Sequence, residues 1–168
     1  SRDTVYQLSG TQWIPYLYLD MGKYQMPIEY EAWYSEDAYN KNAINYWNIP
    51  RLEEDDRYFF FTAVRQKYIQ KGENENDCKF IIYDKKAKEG FVVKDENGMK
   101  ITDDILGGPN FWPRWSTDNF YITTMEWSDL EQWTKEEKHI LSPTLQEQFE
   151  TWGEDTNQLI VLCKKNNI

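Results

Sequence analysis

The 168-residue chain carries a formal net charge of −10 and a pI near 4.6, with 40% hydrophobic and 17% aromatic residues. That aromatic content excludes intrinsic disorder, and the acidity argues against nucleic acid or an anionic membrane surface as partner, since both are bound through clustered Lys and Arg. The ordinary reading of the charge is solubility, and no apolar run is long enough to read as a membrane-spanning helix.

Residues 4–7 and 16–20 are rich in β-branched and aromatic side chains and flank Ser9-Gly10-Thr11-Gln12, so they read as a hairpin. Gly22 closes it. Pro27 opens a stretch, 28–46, with neither Gly nor Pro, expected to be partly helical. Pro50 restarts extended structure: a short strand at 51–52, a turn at 53–56 and a long strand at 57–67. Its run Tyr58-Phe59-Phe60-Phe61 predicts burial on both faces. A polar loop at 72–77 precedes a strand at 79–83, a turn at 84–90 and the hairpin partner Phe91-Val92-Val93; Asp95-Glu96-Asn97-Gly98 is a further tight turn. The segment Thr102-Asp103-Asp104-Ile105-Leu106-Gly107-Gly108-Pro109-Asn110-Phe111-Trp112-Pro113 combines paired glycines with acids and aromatics, the composition of a loop whose backbone passes close to something bulky.

A strand at 120–127 follows, and the apolar period then becomes helical. Ser128-Asp129-Leu130-Glu131 and Thr134-Lys135-Glu136-Glu137 have capping-box spacing, Ser142-Pro143 reads as an N-cap with Pro at the first helical position, and Gly153 as the stop. A strand at 159–163 and a polar tail end the chain.

The chain also repeats itself. Pro50-Arg51-Leu52-Glu53-Glu54-Asp55-Asp56-Arg57-Tyr58-Phe59-Phe60 returns, slightly shortened, as Pro113-Arg114-Trp115-Ser116-Thr117-Asp118-Asn119-Phe120-Tyr121-Ile122. Phe80-Ile81-Ile82-Tyr83-Asp84-Lys85-Lys86 lines up with Leu159-Ile160-Val161-Leu162-Cys163-Lys164-Lys165, and more loosely with Asp3-Thr4-Val5-Tyr6-Gln7. The offset from Asp56 to Asp118 is 118−56 = 62 and that from Tyr83 to Leu162 is 162−83 = 79, so the last unit carries an insertion of 79−62 = 17. Tyr6 to Tyr58 is 58−6 = 52 against 120−83 = 37 from Tyr83 to Phe120, placing another insertion, of 52−37 = 15, in the earlier connection. A unit of short antiparallel strands at this period reads as a propeller blade, whereas a β-sandwich would not repeat motif after motif.

Asp3-Thr4-Val5-Tyr6, Gly22-Lys23-Tyr24 with Pro27, Phe80-Ile81-Ile82-Tyr83-Asp84-Lys85, Asp103-Asp104-Ile105-Leu106-Gly107-Gly108-Pro109 with Phe111-Trp112-Pro113, and Asn157-Gln158-Leu159-Ile160-Val161-Leu162 together resemble the C-terminal half of a family of six-bladed, TolB-like β-propeller proteins of Gram-negative gut anaerobes, a domain of unknown function. The resemblance covers nearly the whole chain; Gln158 stands where that pattern has Pro. It implies an all-β fold with helical insertions: a partial propeller of about two to two and a half four-stranded blades. Residues 1–26 would be the outer strands of one blade, 27–48 a partly helical connection, 49–101 one blade, and 102–168 the last blade with its insertion at 128–153. It also implies a periplasmic or cell-envelope location, lipoprotein-anchored in a longer protein. The partners would be the missing N-terminal blades of the same protein, or a second copy reached through open sheet edges. The opening Ser1-Arg2-Asp3 fits a processed chain or a fragment.

The candidate ligand-binding residues are Asp103, Asp104, Trp112, Arg114 and Trp115. The carboxylates beside Gly107-Gly108 have the chemistry of a cation site or acid/base pair; equally, they cap the turn by accepting backbone N–H bonds. Trp112, Trp115, Trp127 and Phe111 could stack on a sugar ring or pack between blades. Strand alternation would set Trp112 and Arg114 opposite Phe111 and Trp115. His139 is the only histidine and has no accompanying ligand set, so no metal, triad or cofactor is expected; the glycines match no phosphate-loop spacing. Cys78 and Cys163 read as small buried or edge residues. Two functions follow as expectations: a non-enzymatic binding module with a glycan or protein ligand, or a carbohydrate-active hydrolase or lyase using Asp103 or Asp104.

Overall fold

The computed structural model describes residues 4–27, 45–65, 78–94, 101–135, 140–153 and 157–165. They are mostly β, in separate antiparallel sheets with few helices. The chain divides into two compact units, residues 1–50 with 63–78, and 51–62 with 79–168.

In the first unit β1 (Thr4–Ser9) and β2 (Gln12–Tyr18) form the expected hairpin. Its turn is Gly10-Thr11, with Gly10 at φ +61°, a conformation that costs a glycine little. β2 begins at Gln12, ahead of the strand start at Tyr16 read from the sequence, because Pro15 does not interrupt it. The pairing steps from Val5↔Leu17 to Tyr6↔Pro15, leaving Tyr16 in a bulge, and a proline is tolerated where the ladder is irregular. Gln25 forms a parallel bridge with Trp47, and the guanidinium of Arg65 lies 5.4 Å from the Trp47 ring centre. The expected helix falls almost entirely on positions 28–44, outside the described residues, as do the turn at 95–98 and His139.

The four-stranded sheet runs β3 (Asn48–Glu54), β4 (Tyr58–Val64), β5 (Cys78–Asp84), β6 (Glu89–Val92) in that order. β4 is an inner strand of this sheet, and Phe59, Phe60, Phe61 and Ala63 are all buried as the aromatic run predicts. Phe59 packs with Phe61 and Tyr83 on one face; Phe60 meets Trp112 and Tyr121 edge-on, at 5.7 and 5.1 Å, on the other. Burying each such ring stabilises by about 1.5–3 kcal/mol.

β7 (Trp115–Ser116), β8 (Phe120–Met125) and β9 (Leu159–Lys164) make a three-stranded sheet in sequence order. The helical insertion predicted between its strands is present as α1 (Trp127–Thr134) and α2 (Pro143–Thr151). Ser142 caps α2 as expected, its Oγ accepting from Leu145 N at 3.3 Å. The box at α1 differs: Glu126, not Ser128, is the N-cap, with Asp129 returning to the Glu126 backbone N–H at 3.1 Å. Thr134 ends α1 rather than starting a helix. Leu130 and Leu145 meet Met125 and Trp152 in a core, flanked by Leu159 and Val161 of β9.

The recurrence of strand pairs is visible in the backbone bonds, with one adjustment of register. Lys85 N donates to Arg57 O and Lys165 N to Asn119 O, both at 2.8 Å. The offset from Arg57 to Asn119 is 119−57 = 62, but that from Lys85 to Lys165 is 165−85 = 80, so the excess is 80−62 = 18, one more than apolar similarity had given. The lysines agree: Lys85 Nζ lies 4.9 Å from the Phe59 ring centre and Lys165 Nζ 4.6 Å from that of Tyr121, two aromatics also offset by 121−59 = 62.

Candidate functional site

The loop at 101–114 is pinned at its ends by two backbone hydrogen bonds between Ile101 and Phe111, 2.7 and 3.0 Å. Asp103 turns inward. Its Oδ1 accepts from Ile105 N and Leu106 N at 3.2 and 2.9 Å, and its Oδ2 from Gly108 N at 3.3 Å. Asp104 is exposed. The neighbouring carboxylates therefore do different things, one closing a turn and one facing solvent.

The expected alternation fails here. Phe111 and Trp112 are both buried, at 9% and 6% exposure, whereas Arg114 and Trp115 are both exposed. Positions 111–114 are not a strand, since β7 begins only at Trp115, and alternation belongs to pleated backbone alone. Trp112 stands edge-on to Phe60 and Phe80, at 5.7 and 4.8 Å, with its indole N–H buried and meeting no acceptor among the described residues. Of the candidates read from the sequence, Asp103 is half-buried and committed to its own turn and Trp112 is buried, while Asp104, Arg114 and Trp115 face solvent.

Gly107 shows what the paired glycines are for. Its φ is +71°, and a Cβ there would sit 2.2 Å from Ile140 O, while its carbonyl accepts from Trp133 Nε1 at 2.9 Å and Ser142 N donates to Leu106 O at 2.7 Å. The glycine thus lets the loop lie against the chain entering α2. Gly107→Ala is expected to cost about 2 kcal/mol or more in denaturant unfolding, from backbone strain and displacement of Ile140. Gly108→Ala should cost less, because its Cβ would meet the end of the Leu145 side chain at 3.1 Å and the Asp103 carboxylate at 3.2 Å, both able to shift.

A denser polar cluster than that of the loop lies elsewhere among the described residues, at positions the sequence reading does not mark. Asp55 Oδ1 accepts from Arg57 N and Tyr58 N, at 2.8 and 2.6 Å; its Oδ2 accepts from Tyr121 Oη at 2.6 Å and pairs with Lys165 Nζ at 3.1 Å. The Asp55 side chain is 7% exposed and that of Lys165 14%. Ser116 Oγ donates to Glu54 O at 2.8 Å, and Lys85 Nζ reaches Glu54 Oε1 at 2.8 Å and also bonds the Asp55 carbonyl. This cluster ties the four-stranded sheet to the three-stranded one. Burial raises the Asp55 carboxyl, but the bonds from Tyr121, Tyr58 N, Arg57 N and Lys165 together outweigh it and hold the group below the ordinary carboxylate range. Burial and then Asp55 push the Tyr121 phenol up, so it remains the donor. The signal for this cluster was the repeat itself: Thr117, the counterpart of Asp55 in the second copy, caps its own turn by accepting from Phe120 N at 3.0 Å.

Among the described residues no group of three or more His, Cys, Asp or Glu could hold a metal ion, and no helix is long and apolar enough to cross a membrane. Neither Cys78 nor Cys163 is in a disulfide and both are half-buried, and burial pushes the Cys163 thiol up, away from reactive thiolate character.

Among the described residues, the hairpin exposes a row of aromatic and apolar side chains. Thr4, Tyr6 and Leu8 of β1 oppose Tyr18, Pro15 and Trp13 of β2 on one face. Tyr6, Leu8, Trp13 and Tyr18 are 41%, 56%, 69% and 61% exposed.

The family described as "Domain of unknown function (DUF4934)" matches residues 1–164. No curated protein matches. Among solved structures, the chain is similar to a crystal structure described as a "Putative exported protein" from Bacteroides fragilis NCTC 9343, with 14% identity and a TM-score of 0.58. The match covers 98% of this chain and 45% of that one, so the chain spans under half the neighbour's length; the likeness is one of fold.

Proposed function

This chain belongs to the DUF4934 family, and we propose that it serves there as a non-enzymatic binding module, part of a β-propeller in an exported, cell-envelope protein. The propeller assignment is supported by the regular recurrence of strand pairs, carried out by two successive sheets with equivalent lysine–aromatic contacts. Export is supported by the description of the similar structure.

The observation that carries binding over catalysis is the use made of the carboxylates. An acid/base pair needs two groups free to reach a substrate, and Asp103 gives both oxygens to backbone N–H groups. What faces solvent is the row Tyr6, Leu8, Trp13 and Tyr18, an apolar surface suited to a sugar face or a protein.

A panel of neutral and acidic glycans, followed by tryptophan fluorescence and by assay for released sugar, tests this. The expected result is no product, with any saturable binding weakened about tenfold or more by Trp13→Ala and unmoved by Asp104→Asn. Silence with every sugar assigns the face to a protein ligand. Product release that Asp104→Asn abolishes overturns the reading in favour of a hydrolase or lyase.

A further inference from the structure

The two consecutive sheets differ in one respect that their shared pattern does not explain. The face of the four-stranded sheet bearing Phe60 and Phe80 is covered by Trp112 and Tyr121. The equivalent positions in the next sheet are 60+62 = 122 and 80+80 = 160, Ile122 and Ile160, by the offsets that the backbone bonds establish. In register, Trp115 pairs with Ile122, Ile122 with Leu162, and Thr124 with Ile160, so these residues share one face. Tyr121, Thr123, Met125, Val161 and Cys163 share the other, which carries the bonds to Asp55 and the helical core. The first face is open: Trp115, Ile160 and Leu162 are 51%, 64% and 56% exposed.

We propose that this outer face of β7–β8–β9 docks a further antiparallel sheet of the same repeat, carried by a longer polypeptide that contains this chain. The occupant follows from continuity: the same face one repeat earlier is covered by Tyr121 of the next sheet and by Trp112 of the loop that leads into it, and the similar solved structure extends to more than twice the matched length. The repeat also specifies the chemistry of the joint. Where the first joint places Asp55 opposite a tyrosine and a lysine, the second has the neutral Thr117, whose hydroxyl accepts from Phe120 N. The incoming sheet therefore needs no lysine at the place of Lys165. It would present a tryptophan-like ring to Ile122 and Ile160, and the joint is held by apolar contact with little dependence on salt. This rests on the propeller reading above but on no ligand, and the hairpin assay can fail without touching it.

Carbene footprinting of the dilute 168-residue chain, compared with the longest polypeptide its reading frame encodes, provides the test. Trp115, Ile160 and Leu162 should label heavily in the former and fall in the latter to the level of Leu130, which is 0% exposed. Leu162→Lys should lower the Tm of the longer polypeptide and leave that of the shorter chain unchanged. Equal labelling in both overturns the proposal. So does protection of the short chain that grows with concentration, which would assign the face to a second copy, or a reading frame with no further copy of the repeat.

Discussion

Asp55→Ala should destabilise the second unit by about 3–5 kcal/mol, the cost of removing one partner from a buried, hydrogen-bonded ion pair. The loss has three parts. Two backbone N–H groups at the β3–β4 turn lose their acceptor, Tyr121 Oη loses its partner, and Lys165 keeps a charge on a side chain 14% exposed. Asp55→Asn separates them, because an amide oxygen can still serve the turn while the charge opposite Lys165 is gone. Urea unfolding of both variants gives the comparison; a loss under about 1 kcal/mol in Asp55→Ala, the scale of exposed pairs, would mean that the cluster does not join the sheets.

The same carboxylate fixes the direction of the pH dependence. Its folded pKa lies below the ordinary value, so the stability it contributes is present above the unfolded carboxylate pKa of about 3.9 and is lost as pH falls through the folded value. Asp84 acts in the same direction: the bond from Ala87 N, with those from Arg57 and Lys86 N, outweighs its burial. Acid unfolding should therefore begin below about pH 4, and Asp55→Asn should show a shallower loss across that range.

Leu130→Ala is the second large effect, about 2–5 kcal/mol. Leu130 is fully buried and Leu145 2% exposed, and they meet Met125 and Trp152 in the small core that seats both helices on β8 and β9. Truncation leaves a cavity in the middle of this cluster, against which Leu106, Trp127, Leu141 and Phe149 also pack. Because both leucines belong to one cluster, Leu130→Ala and Leu145→Ala should combine non-additively, on the scale of about 0.5–3 kcal/mol seen for residues in contact. Strict additivity in denaturant unfolding would show that they do not share a core.

Much of the architecture is legible because it is written in periodicity. The run Tyr58-Phe59-Phe60-Phe61 announced an inner strand, and the change of period after Trp127 announced the helices. Ser142-Pro143 marked a cap that the structure contains. Harder to read were features that depend on a single step of register. Aligning the third strands by apolar similarity gave an offset of 79 where the backbone bonds require 80, and in a strand such a slip exchanges the two faces. Under the wrong offset Tyr83 matches Leu162, an outward residue; under the right one it matches Cys163, on the face that carries the joint. The Asp55 cluster was hidden for a related reason. Glu54 and Asp55 precede β4, whereas Ser116, Tyr121 and Lys165 belong to the second copy of the repeat or follow it, and only packing of one sheet on another brings them together.

The amino-acid sequence alone determined that the chain is β-rich, that its strand pairs recur, and where the helices between β8 and β9 are inserted, because these follow from local side-chain pattern and chain connectivity. Only the tertiary structure decided which of two adjacent aspartates closes a turn, that Trp112 is buried while Trp115 faces solvent, and that Asp55 gathers a denser polar cluster than the glycine-rich loop does. Those outcomes turn on face and register, which similar residues on both sides of a strand leave open until sheets pack.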